Sequence, residues 1–210
     1  MSSTPRPPTI LVALTGASGM PYGLRLTEML LAAGCRVWLV YSQVAQIVAR
    51  QEMDVVLPAN PQQAARELSA RFNAAPGQLE VFGREDWNCP PASGSNPPDA
   101  MVVCPCSMGT LAAIAHGLAS NLIERAADVV MKERRTLILV PRETPFSTLH
   151  LENMLSLSRN GVVILPPSPG FYQQPREIAD LVDFVVARIL DQLRVPHTLL
   201  PRWGEPQAGD

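Results

Sequence analysis

Short apolar runs rich in β-branched residues recur along the chain, each followed by a longer stretch of helical period. This alternation narrows the possible folds more than any other feature: it is the signature of a parallel sheet covered by helices. Strands are expected at Thr9–Leu14, Val37–Tyr41, Ala100–Cys104, Thr136–Val140 and Val162–Leu165, with a weaker one at Leu79–Phe82. Several are apolar throughout rather than alternating, as when both faces of a strand are covered. Helices are expected near Pro21–Ala33, Val44–Glu52, Gln62–Phe72, Leu111–His116, Leu122–Arg134, Thr148–Arg159 and Pro175–Leu193. In the last of these, Ile178, Leu181, Val182, Val185, Ile189 and Leu193 recur at helical spacing behind Pro175.

The 210 residues suit one domain, and 47% apolar residues can fill its core. Only 17% are charged, against roughly 25% in an average soluble protein, and subunit contact is one way to cover the remaining surface. With 17 basic and 19 acidic residues the net charge is −2, which argues against a general binder of nucleic acid or acidic membrane. No apolar run exceeds five residues, whereas a membrane helix needs about 20. The N-terminus has no apolar stretch of the kind a secretory signal carries, and Cys35, Cys89, Cys104 and Cys106 do not form a disulfide framework. The expectation is a soluble cytoplasmic protein.

The 21 prolines gather at strand ends and in loops. The segment Cys89–Pro98 holds Pro, Ser or Gly at seven of ten positions and reads as a loop. Open α/β sheets bind ligands at the carboxyl ends of their strands, so the chemistry belongs to the loops that follow them.

The first strand leads into Thr15-Gly-Ala-Ser-Gly19 and then a helix, an arrangement that can cradle a phosphate with backbone N–H groups and a hydroxyl. The chain has neither G-x-G-x-x-G nor a P-loop, and the second strand ends in Tyr41-Ser42, where a dinucleotide enzyme usually places an acidic residue. A mononucleotide fits better than NAD or ATP. The loop Cys104-Pro-Cys-Ser-Met-Gly-Thr110 offers Ser107, Gly109 and Thr110 to a ligand, while its two cysteines read as buried thiols rather than a zinc site.

Arg125 and Lys132 lie seven residues apart on one helix, with Asp128 between them. Alone they could be an exposed ion-pair ladder. With Arg142 and Glu143 after the next strand, they suggest a second anionic group such as a phosphate ester. Arg188 is placed at the edge of the last helix's buried stripe, a costly position for an idle charge. Tyr172 is either a core aromatic or a ligand contact, and Trp87 and Trp203 fall in loop-like contexts where an aromatic face can stabilise cationic character. His116, His150 and His197 show no metal-ligand spacing, and no G-x-S-x-G elbow accompanies them, so no metal site is expected.

Seven motifs in order carry a resemblance. They are Thr15-Gly-Ala-Ser-Gly19, Pro91-Ala-Ser-Gly-Ser95, Cys104-Pro-Cys-Ser107, Glu124-Arg-Ala-Ala-Asp-Val-Val-Met-Lys-Glu-Arg-Arg135, Pro141-Arg-Glu-Thr-Pro145, Gly170-Phe-Tyr172 and Pro201-Arg-Trp203. Together they resemble the UbiX/Pad flavin prenyltransferase family. The resemblance implies a flavodoxin-like (Rossmann-like) open parallel sheet with helices on both faces. It implies a single flavin-binding domain over residues 9–205, with flexible ends at 1–8 and 206–210, and a homo-oligomer, often a dodecamer. It also implies metal-independent transfer of a dimethylallyl group from dimethylallyl monophosphate to N5 and C6 of reduced FMN, the product serving a UbiD-type decarboxylase, for instance in ubiquinone biosynthesis. By the same resemblance Gly16, Ala17, Ser18, Ser42, Ser107, Met108, Gly109, Thr110 and Arg142 would hold FMN. Tyr172 and Arg188 would bind the prenyl phosphate, helped by Arg125 and Lys132, some across a subunit interface. Glu52 and Glu143 match the acid/base carboxylates, with Ser18 and Lys132 beside the chemistry. Ser93 and Gly94 line the substrate side with Trp87 and Trp203. Met108 departs from the Ser or Thr of many members, which leaves its backbone N–H as the group to serve there.

Two other functions compete. One is an FMN-dependent decarboxylase of the cysteine-decarboxylase fold, although the Pro-Ala-Met-Asn run of that group is absent. The other is a flavin carrier without chemistry of its own. A short-chain dehydrogenase has less support, since no tyrosine is followed by lysine at i+4.

Overall fold

In the computed structural model, residues 6–200 are described. Trp203 and the ends 1–5 and 206–210 lie outside them. The chain winds in the order β1 (Thr9–Leu14), α1 (Met20–Ala32), β2 (Arg36–Tyr41), α2 (Gln43–Met53), α3 (Pro61–Arg71), β3 (Leu79–Phe82), β4 (Ala100–Cys106), α4 (Met108–Ala115), α5 (Leu122–Lys132), β5 (Thr136–Pro141), α6 (Thr148–Arg159), β6 (Val163–Ile164) and α7 (Ile178–Leu193). A single 3-10 turn, Pro90–Ala92, precedes β4.

All strand pairs are parallel, in the order β3-β2-β1-β4-β5-β6. The apolar runs explain this. Every residue of β1 and of β4 is buried, because alternate side chains enter cores on opposite faces of the sheet. Ile10, Val12, Leu14, Val37 and Leu39 pack with Leu24, Leu26 and Leu30 of α1 and Val185, Val186 and Ile189 of α7. Leu11, Ala13, Trp38, Val40, Met101 and Val103 pack with Leu111 of α4, Ala126 and Val130 of α5 and Leu157 of α6. Each fully buried Leu contributes roughly 1.5–3 kcal/mol of transfer free energy.

The expected doubly wound sheet is the one observed, with four local differences. β4 runs on to Cys106, and β6 shrinks to two residues. α7 begins at Ile178 rather than Pro175, with a capping box between Glu177 and Asp180. α4 begins at Met108, so Met108, Gly109 and Thr110 form its first turn rather than a loop. A serine at 107 is a strong N-cap, and it starts the helix despite the glycine that follows. No helix among the described residues is long and apolar enough to cross a membrane.

Candidate functional site

The strand order reverses between β1 and β4, and in open sheets such a switch point opens a crevice at the carboxyl edge. Residues from four strand ends meet there. Gly16, Ala17 and Ser18 follow β1, Ser42 follows β2, Ser107 to Thr110 follow β4, and Arg142 and Glu143 follow β5. Backbone bonds tie these ends together: Ser42 N–H donates to Leu14 (3.0 Å), Thr15 N–H to Pro105 (3.2 Å) and Arg142 N–H to Cys106 (3.2 Å).

Two serines of this mouth, Ser42 and Ser107, are helix caps. Ser42 Oγ accepts from Ala45 N–H at 3.1 Å and so starts α2. Ser107 Oγ accepts from Thr110 N–H at 3.3 Å and lies 3.0 Å from Thr110 Oγ1. In the first turn of α4, the N–H groups of Met108 and Gly109 find no acceptor among the described residues. A Cβ placed on Gly109 would meet no described residue within 4 Å, so this end of the helix is open among the described residues. Ser18 is exposed at the same mouth, and Arg142 is exposed too. Free amides at a helix N-terminus, hydroxyls and a guanidinium with no partner among the described residues form a donor set that suits the phosphate and ring oxygens of FMN.

The α1 end differs from expectation. Glu52, the penultimate residue of α2, accepts from Gly19 N–H (3.0 and 3.1 Å) and from Met20 N–H (2.8 Å). Gly19 itself sits at φ +121°, a conformation that glycine adopts without strain. The first amides of α1, expected to cradle a phosphate, are therefore held by the protein's own carboxylate. Beside them the Tyr22 hydroxyl is pushed above its usual range, first by burial and then by the nearby Cys104 and Glu52. Glu143 is exposed, and its Oε1 accepts from Thr144 N–H at 3.0 Å, with no arginine partner among the described residues. Cys104 and Cys106 are fully buried, and burial drives both thiols well above the ordinary range, as expected for structural thiols.

The remaining candidates lie elsewhere. Arg125 Nε donates to Ala92 O at 3.0 Å and its NH1 pairs with Asp128 at 2.7 Å, fastening the Pro90–Ala92 turn to α5. Lys132 pairs with Glu133, and both side chains lie against Gly94. Lys132 ends α5 shortly before β5 begins at Thr136, so Lys132, Ser93 and Gly94 sit toward the amino edge of the sheet. The expected gathering of these cations around one mouth does not occur within a single chain. Arg188 is also unlike the expectation: 54% of its side chain is exposed and it pairs with Asp191 at 2.8 Å, so solvent and a neighbour carry its charge. Tyr172 is 60% exposed, its ring edge-on to Phe184 at 5.8 Å and thus one helical turn from Arg188. Trp87 is 47% exposed in the loop after β3. A groove of about 710 Å³ between α1, α7 and the ends of α2 and α3, lined by Leu24, Met53, Phe72 and Val182, contains none of the candidate residues.

Residues 2–190 match the Flavoprotein family. The flavin prenyltransferase UbiX of Pseudomonas aeruginosa is 59% identical over 95% of both chains. The chain belongs to the UbiX flavin prenyltransferase family. Among solved structures, AnUbiX in complex with FMN and dimethylallyl pyrophosphate superposes with a TM-score of 0.85 at 40% identity, covering 96% of this chain and all of that one. A dodecameric FMN-dependent UbiX-like decarboxylase from Escherichia coli gives a TM-score of 0.82 at 41% identity over 94% of this chain and all of that one. Three residues outside the expected set touch candidate residues: Thr15 Oγ1 accepts from Ser107 N–H, Val44 packs against Gly16, and Asp191 pairs with Arg188. Thr15 lies inside the Thr15–Gly19 motif, whereas Val44 and Asp191 carry no sequence signal of their own.

Proposed function

We propose that this protein transfers a dimethylallyl group from dimethylallyl monophosphate to N5 and C6 of reduced FMN, yielding prenylated FMN for a UbiD-type decarboxylase. The observation that carries this reading is the open first turn of α4 beside Ser18 and Arg142 at the switch point. When bound there, reduced flavin supplies the nucleophilic ring atoms.

The protein's own groups then divide the remaining work. Gly16, Ala17, Ser18, Ser42 and the Ser107–Thr110 turn hold and orient the flavin. Arg142 neutralises negative charge at the mouth, and Glu143, on the same exposed strand end, moves a proton during ring closure. Tyr172 and Arg188 bind the phosphate leaving group. Arg125 and Lys132 add positive charge where a metal ion would otherwise stabilise the departing phosphate.

Lys132, Ser93 and Gly94 lie away from the mouth of their own chain. The reading therefore places them at the mouth of a neighbouring copy, in a homo-oligomer that we take to be a dodecamer. We place the protein in the cytoplasm, in keeping with four free, buried cysteines.

The test is mass spectrometry of the flavin released after anaerobic incubation with reduced FMN and dimethylallyl monophosphate. FMN carrying one added dimethylallyl unit is the expected product. Unchanged FMN at full occupancy would favour a carrier, and activity with the pyrophosphate alone would correct the donor.

A further inference from the structure

The β1–β4 ladder ends at the pair Ala13–Val103, and the neighbouring β4–β5 ladder loses its register between Val103 and Cys106. Pro105 lies in that gap and has no N–H to donate, so its backbone can only accept where the mouth begins. Thr15 spans the gap. Its N–H donates to Pro105 O at 3.2 Å. Its hydroxyl donates to the same oxygen at 2.8 Å and accepts from Ser107 N–H at 2.7 Å. The residue is 1% exposed, so no water competes for these bonds.

Ser107 is the residue whose hydroxyl starts α4. A side chain that fixes Ser107 N–H therefore fixes where the first turn of α4 aims its free amides. The same side chain belongs to the loop carrying Gly16, Ala17 and Ser18. We propose that Thr15 is a positioning residue for the flavin, its hydroxyl locking the β1–α1 and β4–α4 loops into one spacing. This rests on the reading that the flavin is held between those loops.

The proposal separates from a purely structural hydrogen bond by affinity measured on folded protein. Thr15→Val keeps the shape and removes the hydroxyl. Thr15→Ala removes it without placing a methyl against Pro105, and Thr15→Ser retains it. FMN titration should be carried out well below each variant's melting temperature. Thr15→Val and Thr15→Ala should each bind FMN about tenfold more weakly, and Thr15→Ser within about twofold of the parent. The KM for FMN should rise while kcat at saturating flavin changes less than about threefold.

Arg142→Ala and Ser107→Gly, run alongside, test the underlying site. If they weaken FMN binding but Thr15→Val and Thr15→Ala do not, Thr15 only stabilises the fold and the proposal fails. If none of the four affects FMN binding, the flavin lies elsewhere and both readings fall.

Discussion

Glu52 accepts a 2.8 Å hydrogen bond from the backbone N–H of Met20, joining the end of α2 to the start of α1 across 32 residues. A carboxylate at a helix N-terminus meets both the orphan amides and the positive end of the helix dipole. Glu52→Ala should cost about 1–2 kcal/mol of stability, and Glu52→Gln less, because an amide oxygen still accepts. Denaturant titration of the three proteins checks the order. A single-turnover rate lowered beyond about 100-fold in Glu52→Gln, with stability unchanged, would instead give this residue a proton-transfer duty.

Glu143 has no comparable structural task beyond its own loop. Glu143→Gln should leave FMN affinity and melting temperature close to the parent. It should slow product formation in a single turnover by at least about 100-fold, the lower end for loss of a general acid or base. Near-parental single-turnover kinetics would remove Glu143 from the chemistry.

Prenyl transfer should persist in excess EDTA if, as proposed, Arg125, Lys132, Arg142 and Arg188 supply the positive charge that the leaving phosphate needs. Initial rates with and without chelator decide this. Loss of activity that magnesium restores would show that these cations do not suffice.

Gly16 is glycine because Val44 is its neighbour: a Cβ at position 16 would come within 2.7 Å of Val44 Cβ. Gly16→Ala should push the β1–α1 loop and the start of α2 apart and weaken FMN binding by at least tenfold, of the order of 1–3 kcal/mol for overpacking. Val44 is half exposed, so Val44→Ala should be mild alone and should restore part of the affinity in the double variant. Strict additivity in that cycle would mean that the two side chains do not compete for this space.

Stability should fall in alkali. Burial lifts the Cys89 thiol from 9.0 to about 11, so between those values the unfolded chain releases a proton that the native chain retains. The contribution is complete below pH 9 and is lost as the pH rises through about 11. Tyr41, pushed from 10.0 to about 12 by burial and then by Glu67, acts in the same direction at slightly higher pH. Melting temperatures measured across this range should decline, and Cys89→Ala should flatten the lower part of the decline. A flat profile in the parent would contradict the assignment.

The sheet was readable because β1, β2, β4 and β5 are apolar on both faces, a pattern that few other environments demand. The start of α4 was harder: Gly109 in its first turn looks like a loop residue, and only the Ser107 cap reveals the helix. Spacing put Arg125 and Lys132 on one face of α5, and the strand expected from Thr136 already set Lys132 beside its amino end; grouping Lys132 with Arg142, at the opposite end of that strand, ran against this. Arg188 was misplaced for a different reason. Periodicity locates a stripe but not its width, and the helix buries Ala187 and Ile189 on either side while leaving Arg188 outside.

The sealed thiols of β4 have a chemical consequence. An allylic electrophile generated at a protein mouth alkylates whatever soft nucleophile it reaches, and thiolate sulfur is among the most reactive. Cys104 and Cys106 lie in the strand that feeds this mouth, yet neither has any accessible surface and both are held protonated. A catalyst that handles such an electrophile turnover after turnover is thereby guarded against inactivating itself at these sulfurs.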